Sequence, residues 1–249
     1  MKQKLFSVVI ATYNAGKTME RALHSVIKQK GNNVELIVVD GASQDNTMTI
    51  VNKYKQEIDY VISEPDRGVY DAWNKAIAQS HGQWVMFLGA DDYYVDGIFE
   101  EYKGFLNDHD VTGIDLISAR CQLINADETP LRIFGAPYKW EEFRNKNRLS
   151  HGSALHNRRL FDEVGLFSLD YKISADYELL LRKKLKTLFM DEVVMFMQDG
   201  GMSYSANGLI QTYQVKRYRH SSNIVFDLYY LCKGLTGFYL RKIYWSIVK

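Results

Sequence analysis

Two adjacent aspartates, Asp91 and Asp92, end an apolar run in the stretch FLGADDYY. Adjacent residues of an extended segment point in opposite directions, so the two carboxylates need not reach the same atom. One of them can then meet a hydroxyl while the other binds a hard cation such as Mg²⁺ or Mn²⁺. Such a cation neutralises the charge that develops on a departing phosphate. The alternative is that the pair only caps a following helix near Val95.

A third acid, Asp176, lies in the stretch ISADYELLLR, in the first turn of a helix that the pattern predicts from about Ala175. A carboxylate within hydrogen-bond reach of a hydroxyl can take its proton during a reaction. An acid in a first helical turn also stabilises the helix without any catalytic role, so capping is the alternative. Glu178 faces another way and is the weaker candidate.

The elements that must position these acids are strands and helices that alternate over the first hundred residues. Apolar runs predict strands at 5–11, 34–40, 60–63 and 83–88, and apolar residues at helical spacing predict helices after the first three. This alternation predicts an α/β fold with an open parallel sheet covered by helices on both faces. Beyond residue 110 we predict strands at 113–125 and 152–157, helices at 158–165 and from 175, and a strand at 187–198 that either returns to the sheet or lies outside it.

Polar residues follow each of the first four predicted strands. In open α/β sheets, ligands bind beyond the carboxyl ends of the strands. We therefore expect these side chains to gather at one edge of the sheet. They are Thr12, Asn14, Asp40, Glu64, Asp66, Arg67, Asp91 and Asp92.

Composition excludes several classes of protein. The net charge of +1 provides no overall field for nucleic acid, and the two cysteines suit buried reduced thiols better than a metal cluster or a disulfide framework. The chain enters its first strand without a signal-peptide pattern, and it has no uncharged apolar stretch of about 18 residues. We therefore expect a cytoplasmic protein.

Four stretches occur in a characteristic order: SVVIATYNAGKTMERALHSVIKQ, ELIVVDGASQDNT, SEPDRGVYDAWNKAI and GQWVMFLGADD. Together they resemble the nucleotide-binding half of family 2 glycosyltransferases, continuously over about residues 5–95 and more weakly to about 205. The resemblance implies a GT-A fold, in which a Rossmann-like, mixed sheet is flanked by helices. Here it also implies a helical C-terminal extension.

The resemblance assigns a role to each matching residue. Asp92 would bind the metal, and Asp91 would lie nearer the ribose or the donor sugar. Thr12 would lie against the nucleotide, with Asn14 beside it on the same edge, and Asp40 would accept hydrogen bonds from the uracil or the ribose. Asp66, Arg67 and Asn74 would line the base and diphosphate pocket, and Asp176 would be the catalytic base. Gly89 departs from the family pattern, since many relatives carry Asn or Asp there.

Each of these residues also has a simpler structural interpretation. Asp40 can cap a turn, Asp66 and Arg67 can form a local ion pair, and Asn74 can face solvent on its helix. His151, in LSHGS, falls where relatives often have acceptor-side residues, but a structural histidine explains it equally well. The glycines of QDGGMS, residues 198–203, suit either a flexible cover over the donor or a plain turn.

We predict a catalytic domain over 1–208, with a nucleotide-sugar-binding half at 1–110 and an acceptor half at 111–208. Residues 209–249 form a basic, aromatic, helical tail with seven Lys and Arg residues against one acid, Asp227. Such a tail either lies on an anionic membrane surface or packs on the catalytic domain or on a partner subunit. Self-association stays open.

The function implied by the resemblance is a metal-dependent, inverting glycosyltransferase that uses Mn²⁺ or Mg²⁺. It would move a sugar from a nucleotide-sugar, a UDP-sugar by expectation, to a glycan or lipid-linked glycan in bacterial cell-surface polysaccharide biosynthesis, at the inner face of the cell membrane. Two alternatives remain. One is a non-catalytic protein that binds nucleotide-sugars or glycans. The other is a sugar-nucleotide pyrophosphorylase, although ATYNAGKT lacks the Gly- and Arg-rich phosphate loop of that class.

Overall fold

The computed structural model describes residues 4–202, 205–219 and 222–248. The strands are β1 (Phe6–Thr12), β2 (Val34–Asp40), β3 (Tyr60–Ser63), β4 (Trp84–Gly89), β5 (Tyr93–Tyr94), β6 (Leu116–Ile124), β7 (Pro130–Phe134), β8 (Leu155–Asn157) and β9 (Thr187–Gln198). The helices are α1 (Met19–Ile27), α2 (Thr47–Lys53), α3 (Val69–Gln79), α4 (Ile98–Asp108), α5 (Trp140–Phe143), α6 (Arg159–Val164), α7 (Ala175–Leu180), α8 (Ala206–Tyr218) and α9 (Ile224–Val248).

The described strands form one mixed sheet in the order β3-β2-β1-β4-β8-β6-β9-β5, with β7 paired to β6. Strands β1 to β4 are parallel, as predicted, whereas β8 runs antiparallel to both β4 and β6. Strand β9 returns to the sheet and pairs in parallel with β6. The ends of β2, β1 and β4 therefore lie side by side, with Thr12 opposite Asp40.

Alternate residues of the central strands enter two apolar layers, one on each face of the sheet. In β1, Val8 and Ile10 belong to the layer under α1, α2 and α4, whereas Val9 belongs to the layer under α3, α6 and α7. Strand β4 divides in the same way, with Met86 on the first face and Phe87 on the second. Two covered faces explain why these strands read as continuous apolar runs.

Helix α8 spans the predicted boundary between residues 208 and 209. Helix α8 begins at Ala206, before the predicted boundary at 208, and its Val215 is fully buried in the second apolar layer. Asp227 of α9 pairs with Lys216 of α8 at 3.2 Å and also with Arg217. Residues 220, 221 and 249 of the predicted tail lie outside the described part of the chain. Within the described residues, every helix is too short or too polar to cross a membrane.

Candidate active site

Strand β4 ends in a tight turn that carries both aspartates. The backbone N–H of Asp92 donates to the carbonyl of Gly89 at 3.1 Å. A Cβ atom at Gly89 would lie 2.8 Å from Asp92 Oδ2 and 2.9 Å from Asp91 Oδ1. Both carboxylates thus converge over Gly89, because the segment is a turn rather than the extended strand from which the sequence argument started. The pair does not cap the next helix, since α4 begins only at Ile98.

The surroundings of the turn hold the two negative charges close together. Burial and the neighbouring charge of Asp91 raise the pKa of Asp92 to about 7. Asp92 Oδ1 accepts a hydrogen bond from the backbone N–H of Gln198 at 2.9 Å. Arg21 Nη2 donates to the carbonyl oxygen of Asp91 at 2.7 Å, which fixes the backbone of the turn. A cation at this position would relieve the repulsion between the two carboxylates.

A cleft of about 350 Å³ brings this turn together with the third acid. It lies between the turn, the start of α3, the β6–β7 hairpin and the loop before α7. Asp91, Asp92 and Asp176 all line it, as do Arg132 and Lys172. Residues 198–202 form one wall; residue 203, the last of the predicted glycine-bearing loop, lies outside the described part. The carboxylates are thus brought to one site from positions about 85 residues apart.

Asp176 lies in the first turn of α7, where Tyr70 orients its side chain. The Tyr70 hydroxyl lies 3.0 Å from Asp176 Oδ1 and 2.5 Å from the carbonyl oxygen of Ile173. Burial raises the pKa of Asp176, while hydrogen bonds from the Tyr177 N–H and the Tyr70 hydroxyl oppose this shift. Burial and the charge of Asp176 raise the pKa of Tyr70 well above its usual value. A carboxylate with a raised pKa in a cleft is suited to accepting a proton.

Glu178 is not part of the cleft. Its side chain is 1% exposed and forms ion pairs with Arg182 at 2.6 Å and with Arg219, the residue that follows α8. Glu178 therefore joins α7 to the end of α8. This agrees with the sequence analysis, in which Glu178 was a weaker candidate for the base than Asp176.

His151 lines the floor of the cleft inside an aromatic cluster. Its ring stacks on Trp73 and Phe87, with centroids 5.0 and 5.3 Å away. Neither of its ring nitrogens has a hydrogen-bond partner among the described residues, and burial lowers the pKa of His151 to about 3. The imidazole is therefore neutral at physiological pH.

The ends of β1 and β2 carry three of the predicted binding residues. Asp40 is fully buried, and its carboxylate accepts hydrogen bonds from Ser43 N at 3.1 Å and from the hydroxyls of Ser43 and Ser63 at 2.5 and 2.7 Å. This is the turn cap considered as the alternative. Asn14, at φ 49°, joins the same turn by accepting from Gln44 N at 2.8 Å. Thr12 Oγ1 is buried with no partner in the described part of the chain.

Asp66 lies beside the end of β2, where a Cβ atom at Gly41 would meet Asp66 Oδ2 at 2.7 Å. Its Oδ1 accepts from Gly68 N at 2.8 Å. Arg67 is exposed, and the ion pairs of the described residues do not include one between it and Asp66. The local ion pair considered for these two residues is therefore not formed.

Asn74 does not simply face solvent, since its side-chain amide bonds to the backbone of Phe167. Its Nδ2 donates to the carbonyl of Phe167 at 2.9 Å, and its Oδ1 accepts from Phe167 N at 2.9 Å. Both polar groups hold the loop after α6, and Asn74 is not among the residues that line the cleft of Asp91, Asp92 and Asp176. That loop brings Phe167 against Trp73 and Tyr70.

Sequence reasoning missed three residues of the cleft. Tyr70 lies in the motif SEPDRGVYDAWNKAI but carries no charge to mark it, Arg132 lies in β7, which the sequence did not predict, and Lys172 lies in the loop before α7. Lys172 is four residues before Asp176, which is the one signal that could have placed it near the site.

The residues of the turn fit a divalent cation that is shared with a substrate. Within the described residues, no group of three or more His, Cys, Asp and Glu side chains forms a closed metal cage. Mg²⁺ and Mn²⁺ sites in nucleotide enzymes need only one or two carboxylates, because waters and phosphate oxygens supply the other ligands. Asp91 and Asp92, converging at the cleft, meet that requirement.

Comparison with known proteins agrees with this architecture. The chain is 29% identical over 212 residues to a PGL/p-HBAD biosynthesis glycosyltransferase of Mycobacterium bovis, covering 82% of this chain and 80% of that one. The structure resembles that of Staphylococcus aureus TarS residues 1–349, with a TM-score of 0.67 at 19% identity, over 93% of this chain and 70% of that one. It also resembles the mannosyltransferase PcManGT of Pyrobaculum calidifontis, solved with GDP-Man and Mn²⁺, with a TM-score of 0.62 at 17% identity, over 93% and 73% of the two chains.

The two structural matches show the GT-A glycosyltransferase fold that the sequence motifs imply. The family model described as Glycosyl transferase family 2 matches residues 7–166, from β1 to the end of α6. The matched span contains the paired aspartates and stops short of Asp176. The chain therefore belongs to glycosyl transferase family 2 and is a glycosyltransferase.

Proposed function

We propose that this enzyme transfers a sugar from a UDP-sugar to a hydroxyl of a glycan or lipid-linked glycan, with inversion at the anomeric carbon. The observation that carries the proposal is the convergence of Asp91, Asp92 and Asp176 on one cleft. Asp91 and Asp92 can bind a cation at the diphosphate of the donor, and Asp176 can accept the proton of the acceptor hydroxyl.

Asp176 is the proposed catalytic base. The acceptor oxygen forms the new bond to the anomeric carbon as the bond from that carbon to the diphosphate oxygen breaks, and the acceptor proton passes to Asp176. Tyr70 holds one carboxylate oxygen by its hydrogen bond of 3.0 Å, so the other oxygen can face the cleft. A single displacement of this kind inverts the configuration of the sugar.

Asp92, together with Asp91, would hold Mn²⁺ or Mg²⁺. When bound, the cation neutralises the charge that builds up on the departing diphosphate. Arg132 and Lys172 add positive charge along the same cleft. Thr12, Asn14, Asp40, Asp66 and Arg67 lie around the ends of β1, β2 and β3, where we place the nucleoside. The carboxylate oxygens of Asp40 are buried and bonded to Ser43, so Asp40 would fix the turn that contacts the nucleoside rather than contact it directly.

A uridine donor is supported by the structures of TarS in complex with UDP and with UDP-GlcNAc. A glycan acceptor is supported by the names of the relatives, a poly(ribitol-phosphate) β-N-acetylglucosaminyltransferase and a PGL/p-HBAD biosynthesis enzyme. A lipid-linked acceptor would place the enzyme at the inner face of the cell membrane, in the assembly of cell-surface polysaccharide.

The experiment measures Mn²⁺-dependent release of UDP from a panel of UDP-sugars, with GDP-mannose as the comparison donor. We expect Asp176→Asn to lower kcat at least about a hundredfold, because the general base is lost. Calorimetry should show that this variant still binds UDP with Mn²⁺. Asp108→Asn, at an exposed aspartate at the end of α4, is the matched control and should keep full activity.

Two outcomes would contradict the proposal. Turnover of GDP-mannose but not of any UDP-sugar would show that the donor carries guanine rather than uracil, and the proposed UDP-sugar donor would be wrong. Tight UDP-sugar binding without turnover, whatever acceptor is supplied, would favour the non-catalytic alternative.

A further inference from the structure

Helix α9 exposes large apolar side chains along a face that has no partner in the described part of the chain. The side chains of Val225 and Leu240 are 70% and 61% exposed, and Tyr229 and Tyr239 are more than half exposed. The helix has 25 residues and is about 37 Å long at 1.5 Å per residue. Contiguous apolar exposure on this scale marks an interaction site rather than ordinary surface.

The packed side of α9 defines which face is left over. Asp227 is buried against Lys216 and Arg217 of α8, and a Cβ atom at Gly234 would meet Leu209 of α8 at 3.1 Å. At about 100° per residue, positions 227 and 234 lie on one side of the helix. Val225, Tyr229, Cys232 and Leu240 lie on the opposite side, which we call the outer face.

The charges around the outer face are all positive. Lys233 and Lys242 are exposed; on the helical wheel Lys233 lies on the outer face next to Leu240, and Lys242 lies on one flank of the helix, closer to the side of Asp227. Asp227 is the only acid in the sequence of α9, and it is 3% exposed and paired with two cations. A lysine beside an apolar stripe can bury its stem and keep its ammonium group at a polar boundary.

We propose that the outer face of α9 lies on a bilayer that contains anionic lipids, with the helix parallel to the surface. The apolar stripe enters the boundary of the acyl chains while the two lysines meet anionic headgroups. A second copy of this chain fits the face less well, because two such faces would bring together lysines with no accessible acid to pair them. This refines the expectation for residues 209–249: α8 belongs to the catalytic domain, and only α9 contacts lipid.

The first experiment is co-sedimentation of the full chain with vesicles of phosphatidylcholine, alone or mixed with phosphatidylglycerol. We expect binding to the mixed vesicles only, weakened by high salt. Lys233→Gln/Lys242→Gln should reduce the partition coefficient by about fivefold for each lysine removed. The matched control, Lys55→Gln/Lys184→Gln, removes two exposed lysines elsewhere and should bind like the unmodified chain.

The second experiment uses the exposed Cys232 on the outer face, since the other cysteine, Cys121, is buried. An environment-sensitive fluorophore on Cys232 should shift to shorter wavelength when mixed vesicles are added. The same fluorophore on Lys55→Cys/Cys232→Ser should not shift. Neither measurement depends on turnover. The membrane proposal can therefore fail while the proposed reaction holds, and the reverse is also possible.

Several results would overturn the proposal. Equal binding to both kinds of vesicle would exclude recognition of anionic lipid, and equal loss in the two lysine variants would exclude a specific role for the lysines of α9. A dimer in sedimentation velocity that is lost in Val225→Ser/Leu240→Ser, without vesicle binding, would show that a second copy covers the face instead.

Discussion

At the scale of single residues, Gly89 determines where the two carboxylates of the turn can lie. A side chain there would meet Asp91 and Asp92 at less than 3.0 Å, so one or both carboxylates would have to move. The absence of a polar side chain at this position is therefore not simply a lost ligand contact, since it makes room for the convergence of the acids.

We expect Gly89→Ala to raise the Mn²⁺ concentration needed for half-maximal activity by about tenfold, because the displaced carboxylates bind the ion less well. The measurement is a metal titration at saturating donor. Gly104→Ala is the control, since a Cβ atom at this position in α4 meets nothing within 4 Å. An unchanged metal requirement in Gly89→Ala would mean that the carboxylates move without consequence.

A second residue-scale prediction concerns the buried His151 and its neighbour His156. Burial lowers the pKa of His151 to about 3 and that of His156 well below its usual value. Between the folded and unfolded pKa values, the unfolded chain binds protons that the folded chain does not. The free energy of unfolding should therefore fall as pH drops below about 6.5, by about 1.4 kcal/mol per pH unit for each histidine.

Urea unfolding between about pH 7 and about pH 5 measures this slope. We expect His151→Gln to reduce the slope of the free energy of unfolding against pH by about 1.4 kcal/mol per pH unit, the contribution of one histidine. His24→Gln, at an exposed histidine of α1, should leave the slope unchanged. The explanation fails if the slopes of all three proteins are the same.

At the scale of elements, α8 holds α7, the helix that carries Asp176, the proposed catalytic base. Gln211 Oε1 accepts from the backbone N–H of Ile173 at 2.9 Å, and Thr212 contacts Ser174 at 3.3 Å. Arg219 Nε donates to Glu178 Oε1 at 2.7 Å. These contacts lie on both sides of Asp176, so the C-terminal region positions the proposed base, although none of its described residues from 205 onward lines the cleft.

We expect Gln211→Ala to lower kcat by about tenfold and to leave the KM for the donor unchanged, because the base is misplaced while the donor site is intact. Steady-state kinetics at varied donor concentration separate the two parameters. Gln214→Ala, at an exposed position of the same helix, should behave as the unmodified enzyme. A parallel change in kcat and KM would indicate general loosening rather than positioning.

At the scale of the whole molecule, one sheet runs through both predicted halves of the catalytic domain. Trp84 and Val85 of β4 pair with Asn157 and His156 of β8, and both residues of β4 are fully buried. Residues after 110 supply most of the apolar layer on the α3 face of the sheet. The cleft lies where these two contributions meet.

The fragment 1–110 should therefore fail to fold alone, because β4 loses its neighbour and one sheet face loses its cover. We expect no cooperative thermal transition by circular dichroism and strong binding of a hydrophobic dye. A cooperative transition of the fragment would instead make the nucleotide-sugar-binding half an independent domain.

Local sequence pattern determined many of the elements and the edge of the sheet where the candidate site lies. The predicted strands 34–40, 60–63 and 187–198 coincide with β2, β3 and β9. Strand β2 is buried along its whole length and has apolar side chains on both faces, so its bounds can be read from composition, whereas β3 and β9 are partly exposed and were recognised from their β-branched and aromatic residues. The family motifs likewise led to the correct fold, because they lie within short, continuous stretches.

Only the tertiary structure decided how the site is assembled. It turned Asp91 and Asp92 toward the same point, used both polar groups of Asn74 to clamp Phe167, and brought Tyr70 to Asp176 across about 106 residues of sequence. It also separated α8, which packs on the catalytic domain, from the exposed face of α9. Side-chain direction and long-range pairing depend on how the whole chain closes on itself, and residue spacing carries no record of that closure.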